Sequence, residues 1–417
     1  MSGKKWRFDT EVVHLGNRPE DWQGACQVPI YQSASFRYLT ASELSQVFAG
    51  KKSGYIYQRL GSPTCSVLEE RIAGLEGGKK ALVFSSGMSA ITSAVLTLVR
   101  CGDEIISGDS LFLSTYLFFT RFLLKFGVNV HLVKTDKPEN FEQKINERTR
   151  LIYVETIGNP KMDVPAIPEI CEIAHRNSIP VMVDNTLATP YLFKPIEVGA
   201  DIVVHSTTKF FNGHGNAVGG VVVDSGRFDW DVERFSDFKE AVDSWGELAF
   251  IEKLAHETYS ILGTYQAPFH SFLTLIGIET LALRMERHLS NAKKLAEFLE
   301  KHPKVKWVNY PGLASSSSYE RASRLFKGKG FGALLTFGLE NQSQCFKLIE
   351  NLKLCYQLAN LGDAKTLVIH PYSSQYIGFS EEERKMLEIH PEMIRVSVGI
   401  EAIEDIIEDF EQALLKI

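Results

Sequence analysis

From about residue 80 onward, short runs of apolar, mostly β-branched residues recur with helix-length segments between them. The runs are Ala81–Phe84, Glu104–Ile106, Val128–Val133, Leu151–Val154, Pro180–Val183, Ile202–Val204 and Gly220–Val223. Runs that are apolar at consecutive positions are buried on both faces, and parallel neighbours need crossovers of helix length. The pattern predicts an α/β fold with a mostly parallel central sheet and helices on both faces.

The flanking segments have a different texture. The first fifty-odd residues lack strong periodicity and read as an extended arm, bounded at residues 1–60. The α/β domain takes residues 61–255. Beyond it, Glu279–Glu300 reads as one long helix, with Leu281, Met285, Leu289, Ala292, Ala296 and Leu299 on its apolar side. The serine run Ser315–Ser318 is a loop, Gly332–Phe337 a strand, and Ile403, Ile406, Ile407, Phe410 and Leu414 form one face of a C-terminal helix. Residues 256–417 therefore form a smaller α+β domain. A length of 417 residues suits two or three domains at about 150 residues each.

Charge and cysteine usage narrow the function classes. Lys plus Arg number 45 against 51 Asp plus Glu, a net charge of −6. This argues against nucleic acid or an anionic membrane as partner, since both call for a basic surface. The most apolar stretch, Leu111–Phe126, is interrupted by Ser114, Arg121 and Lys125 and is too short to span a bilayer. No signal peptide is expected at the N-terminus. The six cysteines include no C-x-x-C pair, so neither a zinc site nor a disulfide framework is expected, and a reducing, cytoplasmic location is. No metal is expected: His205 and His214 have no carboxylate or thiolate at ligand spacing and read as core or hydrogen-bonding residues. Gly213, Gly215 and Gly219 miss the dinucleotide fingerprint by one residue and lead into a strand.

Ligands of open α/β sheets bind beyond the carboxyl ends of the strands. Ser85-Ser-Gly-Met-Ser-Ala90 follows the first run and opens a helix, which suits a phosphate. Glu155-Thr-Ile-Gly-Asn159-Pro160, Asp184-Asn-Thr186 and His205-Ser-Thr-Thr-Lys209 follow three later runs. Together they offer an anion cradle, an amide, a carboxylate and a primary amine on one rim. That set fits pyridoxal phosphate, which needs an amine to condense with its aldehyde and a carboxylate to keep its ring nitrogen protonated.

The stretch Val183-Asp-Asn-Thr-Leu-Ala-Thr-Pro190, followed by Ala200 through His214, resembles the Cys/Met-metabolism family of pyridoxal-phosphate enzymes. The likeness runs from Pro29-Ile-Tyr31 through Tyr57-Gln-Arg59 and Ser62-Pro-Thr64 to Ile394–Gly399. Trp307–Leu313, Ala359–Pro371 and Glu279–His288 look most like the O-acetylhomoserine sulfhydrylases of that family. The resemblance implies the type I aminotransferase-like fold and a homotetramer built as a dimer of dimers. Residues 1–60 would then contribute to the neighbouring subunit, 61–255 bind the cofactor and 256–417 bind substrate.

Roles follow from the resemblance position by position. Lys209 matches the Schiff-base lysine and Asp184 the partner of the pyridine nitrogen. Asn159 matches the amide near the ring hydroxyl, and Gly87, Met88, Ser206 and Thr208 the phosphate cup. Tyr57 and Arg59 match a pair that reaches the phosphate from the neighbouring subunit. Arg395 matches the clamp on the substrate carboxylate, and Asn360 a polar contact to the same group. Phe112 stands where the family usually stacks a tyrosine on the ring, so stacking is kept and the hydroxyl lost. Ser374-Gln375-Tyr376 replaces a common Thr-Thr-His near the substrate entrance. Ser114 stands where methionine γ-lyases usually carry a cysteine.

The implied reaction is γ-replacement on an O-acylhomoserine, O-acetylhomoserine foremost, by a sulfur nucleophile to give homocysteine for methionine biosynthesis. The sulfur donor is sulfide, a thiol or a sulfur-carrier protein. Two alternatives within catalysis are a γ-lyase acting on methionine or cystathionine and a cystathionine γ-synthase. A non-catalytic cofactor-binding protein is a third, more distant one.

Overall fold

A computed structural model describes residues 6–417. Seven strands form the larger sheet: β1 (Lys80–Phe84), β2 (Glu104–Gly108), β3 (Asn129–Val133), β4 (Thr149–Glu155), β5 (Val181–Asp184), β6 (Ile202–His205) and β7 (Gly220–Asp224). Each coincides with one of the runs read from the sequence. The order is β1-β7-β6-β5-β4-β2-β3. All pairings are parallel except those of β7, which runs antiparallel to both β1 and β6.

Alternate residues of these strands enter two different cores. Val83, Ile152, Val154, Val181, Val183, Val203 and Val221 pack on one face. Leu82, Phe84, Leu151, Tyr153, Met182, Ile202, Val204 and Val222 pack on the other. Covering both faces is what makes the runs continuously apolar rather than alternating.

The smaller sheet contains β8 (Trp307–Asn309), β9 (Leu334–Gly338), β10 (Tyr356–Gln357), β11 (Leu367–Ile369) and β12 (Met393–Ser397), in the order β10-β11-β12-β9-β8. Its Leu335, Phe337, Ile394 and Val396 belong to the same core as Val83 and Val183, so this unit sits on one face of the larger sheet. The C-terminal helix Ile403–Leu414 lies where its periodicity placed it.

One helix differs from expectation. The segment read as a single helix over Glu279–Glu300 is divided: one helix ends at Glu279 and the next runs Leu281–Lys301. Thr280 breaks the ladder, its hydroxyl donating to Gly277 O at 3.2 Å and accepting from Arg284 Nε at 3.1 Å. Arg284 is buried and spans the break, its guanidinium donating to Gly277 O at 2.6 Å and Phe210 O at 2.7 Å. A side chain that bonds the preceding turn competes with the helix, and the apolar periodicity continues across it.

Near the N-terminus, helix Phe8–His14 packs on the body, with the buried Arg71 donating to Leu15 O at 2.8 Å and Asn17 Oδ1 at 2.6 Å. Most of residues 23–62 lack regular structure and are exposed, apart from helix Ala41–Phe48. No helix among the described residues is long and apolar enough to cross a membrane.

Gly220, the first residue of β7, lies directly under the start of helix Gly87–Leu98. A Cβ there would collide with Ser86 O and stand 2.8 Å from Gly87 N. Gly220→Ala is expected to push this helix off the sheet and to destabilise the apoprotein by about 1–3 kcal/mol, as overpacking does. The denaturation midpoint of the apoprotein measures this, and an unchanged midpoint would contradict the close packing.

Candidate active site

β1 and β6 both run antiparallel to β7, so they share a direction with each other and with β4 and β5. The polar clusters after these four strands therefore meet on one rim, around a cavity of about 300 Å³. Gly87, Met88, Phe112, Asn159, Asp184, Ser206, Thr208 and Lys209 all line it. Ile91, Ile157, Leu187, Val218 and Leu361 supply its apolar wall.

One end of the cavity is an anion cradle. Ser86 caps helix Gly87–Leu98: its hydroxyl accepts from Ser89 N at 3.0 Å, and the Ser89 hydroxyl accepts from Ser86 N at 2.9 Å. A capped start fixes the helix while its first N–H groups and positive dipole end stay available to an anion. Gly87 needs to be glycine, because a Cβ would stand 2.6 Å from Ser206 Cβ. The Thr208 hydroxyl is clasped by Gly219, accepting from its N–H at 3.0 Å and donating to its carbonyl at 3.2 Å. The Ser206 N–H donates to Thr186 Oγ1 at 2.9 Å, whereas its hydroxyl has no partner among the described residues.

At the opposite pole is Asp184, at the end of β5. Its Oδ1 accepts from Thr186 N at 2.9 Å and its Oδ2 from the Tyr153 hydroxyl at 3.4 Å. Burial pushes this carboxyl above its ordinary range, and the hydrogen bonds and nearby His205 pull in the other direction.

Between these poles lies a chain of polar contacts. Lys209 Nζ donates to Asn360 Oδ1 at 2.6 Å. Burial, helped by the Arg395 charge, lowers the Lys209 amine to about 8. Arg395 donates to Asn159 Oδ1 at 3.2 Å and to Asn360 O at 3.4 Å. It is only 4% exposed and forms no ion pair among the described residues. Burial lowers its guanidinium to about 10, so it remains a cation at neutral pH. A buried charge held only by neutral acceptors is a receptor for an anion.

Tyr57 and Arg59 stand apart from this group. Arg59 donates to Ser260 O at 2.5 Å and its guanidinium carbon lies 5.6 Å from the exposed Tyr57 ring. His205 is fully buried against Glu76, 2.6 Å away, as a core histidine. His214 bonds Asn212 O at 2.6 Å.

Three residues of the site carried no assignment from the sequence. Thr186 braces Asp184 and Ser206, and Tyr153 reaches Asp184 from inside the sheet. Glu155, the last residue of β4, faces the cavity beside Asp184 and accepts from Phe112 N at 2.6 Å. Its position opening the polar cluster after β4 was the available signal. The register that pairs Glu155 with Asp184 is visible only in the sheet.

The donor set fits pyridoxal phosphate. Lys209 offers an amine that is partly neutral near physiological pH, and Asp184 a buried carboxyl. The start of helix Gly87–Leu98 and the free Ser206 hydroxyl offer donors to a phosphate.

The family described as Cys/Met metabolism PLP-dependent enzyme matches residues 9–415. A homocysteine/cysteine synthase of Saccharomyces cerevisiae is 44% identical, over 97% of this chain and 97% of that protein. An L-methionine gamma-lyase of Porphyromonas gingivalis is 41% identical, over 98% and 96%. A crystal structure from Campylobacter jejuni, provisionally named O-acetylhomoserine (thiol)-lyase, superposes with a TM-score of 0.94 at 31% identity, covering 98% of this chain and 100% of that one. That structure carries a pyridoxyl-lysine monophosphate at its position 205.

The lowered Lys209 amine has a sign that can be checked in the apoprotein. The unfolded chain holds this proton up to about pH 10.4, whereas the folded chain releases it near 8. Folding is therefore disfavoured by a constant amount below pH 8 and relieved as pH rises through that window. Lys209→Met is expected to be the more stable protein at pH 7, with the gap narrowing by about 1.4 kcal/mol per pH unit above 8. Denaturant titrations at pH 7 and pH 9.5 measure it; a gap independent of pH would contradict the desolvated amine.

Proposed function

Because this chain belongs to the Cys/Met metabolism family of pyridoxal-phosphate-dependent enzymes, we propose that its cavity carries out γ-replacement on an O-acylhomoserine, with O-acetylhomoserine as the ester. A sulfur nucleophile replaces the acyloxy group and homocysteine is released. The observation that carries this reading is the single cavity lined by both Lys209 and Asp184, with Arg395 behind Asn159 and without a counter-ion among the described residues.

The bound cofactor supplies an aldehyde that takes up amino groups and a protonated ring that draws off the electron pair left at the α carbon. Lys209 would hold it through its amine and Asp184 would be the counter-ion of its ring nitrogen, whose positive charge would keep the buried carboxylate ionised. The helix start at Gly87 and Met88, with Ser206 and Thr208, holds the phosphate. Phe112 would offer its ring as an aromatic face to the cofactor. Asn159, whose carbonyl is taken by Arg395, would offer its NH2 to the ring hydroxyl.

Arg395 clamps the substrate carboxylate through two parallel N–H donors, with Asn360 beside it. Lys209, displaced by the substrate and lowered toward neutrality, takes the α proton and moves the β proton. Phe112 has no hydroxyl with which to share that traffic. The apolar wall of Ile91, Ile157, Leu187 and Leu361 keeps water from the γ carbon.

Tyr57 and Arg59 serve the phosphate of a neighbouring subunit, which accounts for their distance from this chain's own cavity. That role makes a dimer the smallest unit with a complete site, and two such dimers form the homotetramer of this reading. The segments 1–60, 61–255 and 256–417 act as subunit-crossing arm, cofactor domain and substrate domain. The cytoplasm is the compartment, in keeping with six unpaired cysteines.

The methionine γ-lyase relative favours γ-elimination as the second reading. Ser114, which lines the cavity where such lyases usually carry a cysteine, argues against it. The products decide. Incubated with O-acetylhomoserine and sulfide, the enzyme is expected to release homocysteine and acetate. Release of 2-oxobutanoate as the main product, whether or not sulfide is present, would establish the lyase instead. Running acetyl, succinyl and phospho esters against sulfide, thiols and a carrier thiocarboxylate identifies the natural pair, and cystathionine from cysteine would mark the synthase.

Lys209→Ala is expected to abolish turnover and to leave no borohydride-reducible pyridoxyl adduct on the peptide that contains position 209. Arg395→Lys replaces a fork by a point charge. It is expected to raise KM about 10- to 100-fold, the loss of one charge-assisted hydrogen bond of about 1.5–3 kcal/mol, while the cofactor absorbance stays unchanged. Equal effects on KM and cofactor binding would remove Arg395 from the substrate clamp.

A further inference from the structure

Glu155 is a carboxyl group in a place that does not favour a carboxylate. It is 7% exposed and forms no ion pair among the described residues. The charged and titratable groups that face it are Asp184 across the β4–β5 register, Asp163 in the following turn, Tyr153 on its own strand and Tyr376 from the segment before Phe379. None is a cation. The close donor is the main-chain N–H of Phe112, 2.6 Å from Glu155 Oε1. Burial and the neighbouring Asp184 hold the Glu155 carboxyl well above the usual carboxylate range.

Phe112 itself has no polar atom on its side chain to fix its orientation. Its ring lines the cavity from the residue that precedes helix Leu113–Leu117, and its carbonyl begins that helix by accepting from Tyr116 N at 3.0 Å. The other half of its peptide frame is the bond to Glu155. Holding both ends of the backbone sets the Cα–Cβ direction and so the point from which the ring enters the cavity.

We propose that Glu155 is a positioning residue for the γ-replacement reaction, holding the Phe112 ring against the cofactor through the Phe112 main-chain N–H. The inference rests on the reading above for its reaction, though not for its contact with the cofactor. An uncharged Glu155 leaves Asp184 as the one negative charge at that end of the cavity, so the ring nitrogen meets a single counter-ion. A glutamine provides the same acceptor without a titrating proton, and a methionine fills the volume with no oxygen.

Glu155→Gln, Glu155→Met, Phe112→Ala and the double variant Glu155→Met/Phe112→Ala test this as full-length proteins. The readouts are the dissociation constant of pyridoxal phosphate from titration of the apoprotein, the absorption spectrum of the bound cofactor from pH 6 to 9, and kcat. Glu155→Gln is expected to keep the dissociation constant within about threefold, with the spectrum and its pH titration unchanged. Glu155→Met is expected to weaken binding about tenfold, to shift the spectrum and to lower kcat. In the double variant the two losses are expected to overlap rather than multiply.

A Glu155→Gln protein impaired like Glu155→Met, or one with a displaced pH titration, would overturn the proposal by showing that the carboxylate charge is used. Fully multiplicative losses would overturn it by showing that Glu155 does not act through Phe112. If Glu155→Met fails to fold, the Glu155→Gln spectrum alone still decides for or against. The cofactor readouts stay valid if the wild-type product proves to be 2-oxobutanoate, so failure of the reaction assignment and failure of this inference remain distinct.

Discussion

Lys209 in the cavity wall and the buried Arg395 are two cations linked through the same residue, Asn360, and most of the site is arranged around that fact. Burial lowers the tendency of both Lys209 and Arg395 to hold a proton, and the Arg395 charge lowers that of Lys209 further. Neither forms an ion pair among the described residues; amide oxygens of Asn159 and Asn360 take their place. Amides stabilise a cation without neutralising it. The lysine is thereby brought near neutrality, where it can act as base and nucleophile, while the guanidinium stays charged for a carboxylate.

The rest of the fold serves to hold that arrangement. A sheet in which β1, β4, β5 and β6 share a direction brings four loop clusters to one rim. Close approach at Gly87 and Gly220 lets the helix start lie on the strands with no side chain between. The smaller sheet contributes Arg395 from β12, and the loop before β11 contributes Asn360, so the contacts of these two with Asn159 and Lys209 exist only where the two units meet. An acid pair, Glu155 and Asp184, lines the same cavity side by side, and two carboxyls so close cannot both ionise freely.

Similarity to known enzymes accounts for the common chemistry of the site, and the departures mark where this chain is its own. Phe112 retains an aromatic face without a hydroxyl. Ser114 sits in the cavity in place of a thiol. Tyr376 is buried near Arg395 and Glu155, with its phenol pushed up by burial. Phe112 and Ser114 both line the cavity, so these departures fall at the site itself.

Much was legible in the residue pattern. Strands buried on both faces must be apolar at every position, so all seven runs could be located from hydrophobicity alone. Polar clusters that end such runs have nowhere to go but the rim, which is why Asp184, Asn159, Ser206 and Lys209 could be gathered before any coordinates. The break at Thr280 escaped because apolar periodicity continues through it and Arg284, distant in contact but near in sequence, closes the gap. Glu155 went unassigned because a glutamate at a strand end looks the same whether it is solvated or pinned beside another acid. The chain by itself determined which chemical groups are present and on which edge of the sheet they fall, since periodicity and turn chemistry are local. Only the tertiary structure decided their protonation and partners, because desolvation and electrostatic coupling depend on distances between segments hundreds of residues apart, such as Asn159 and Arg395, separated by 236 positions.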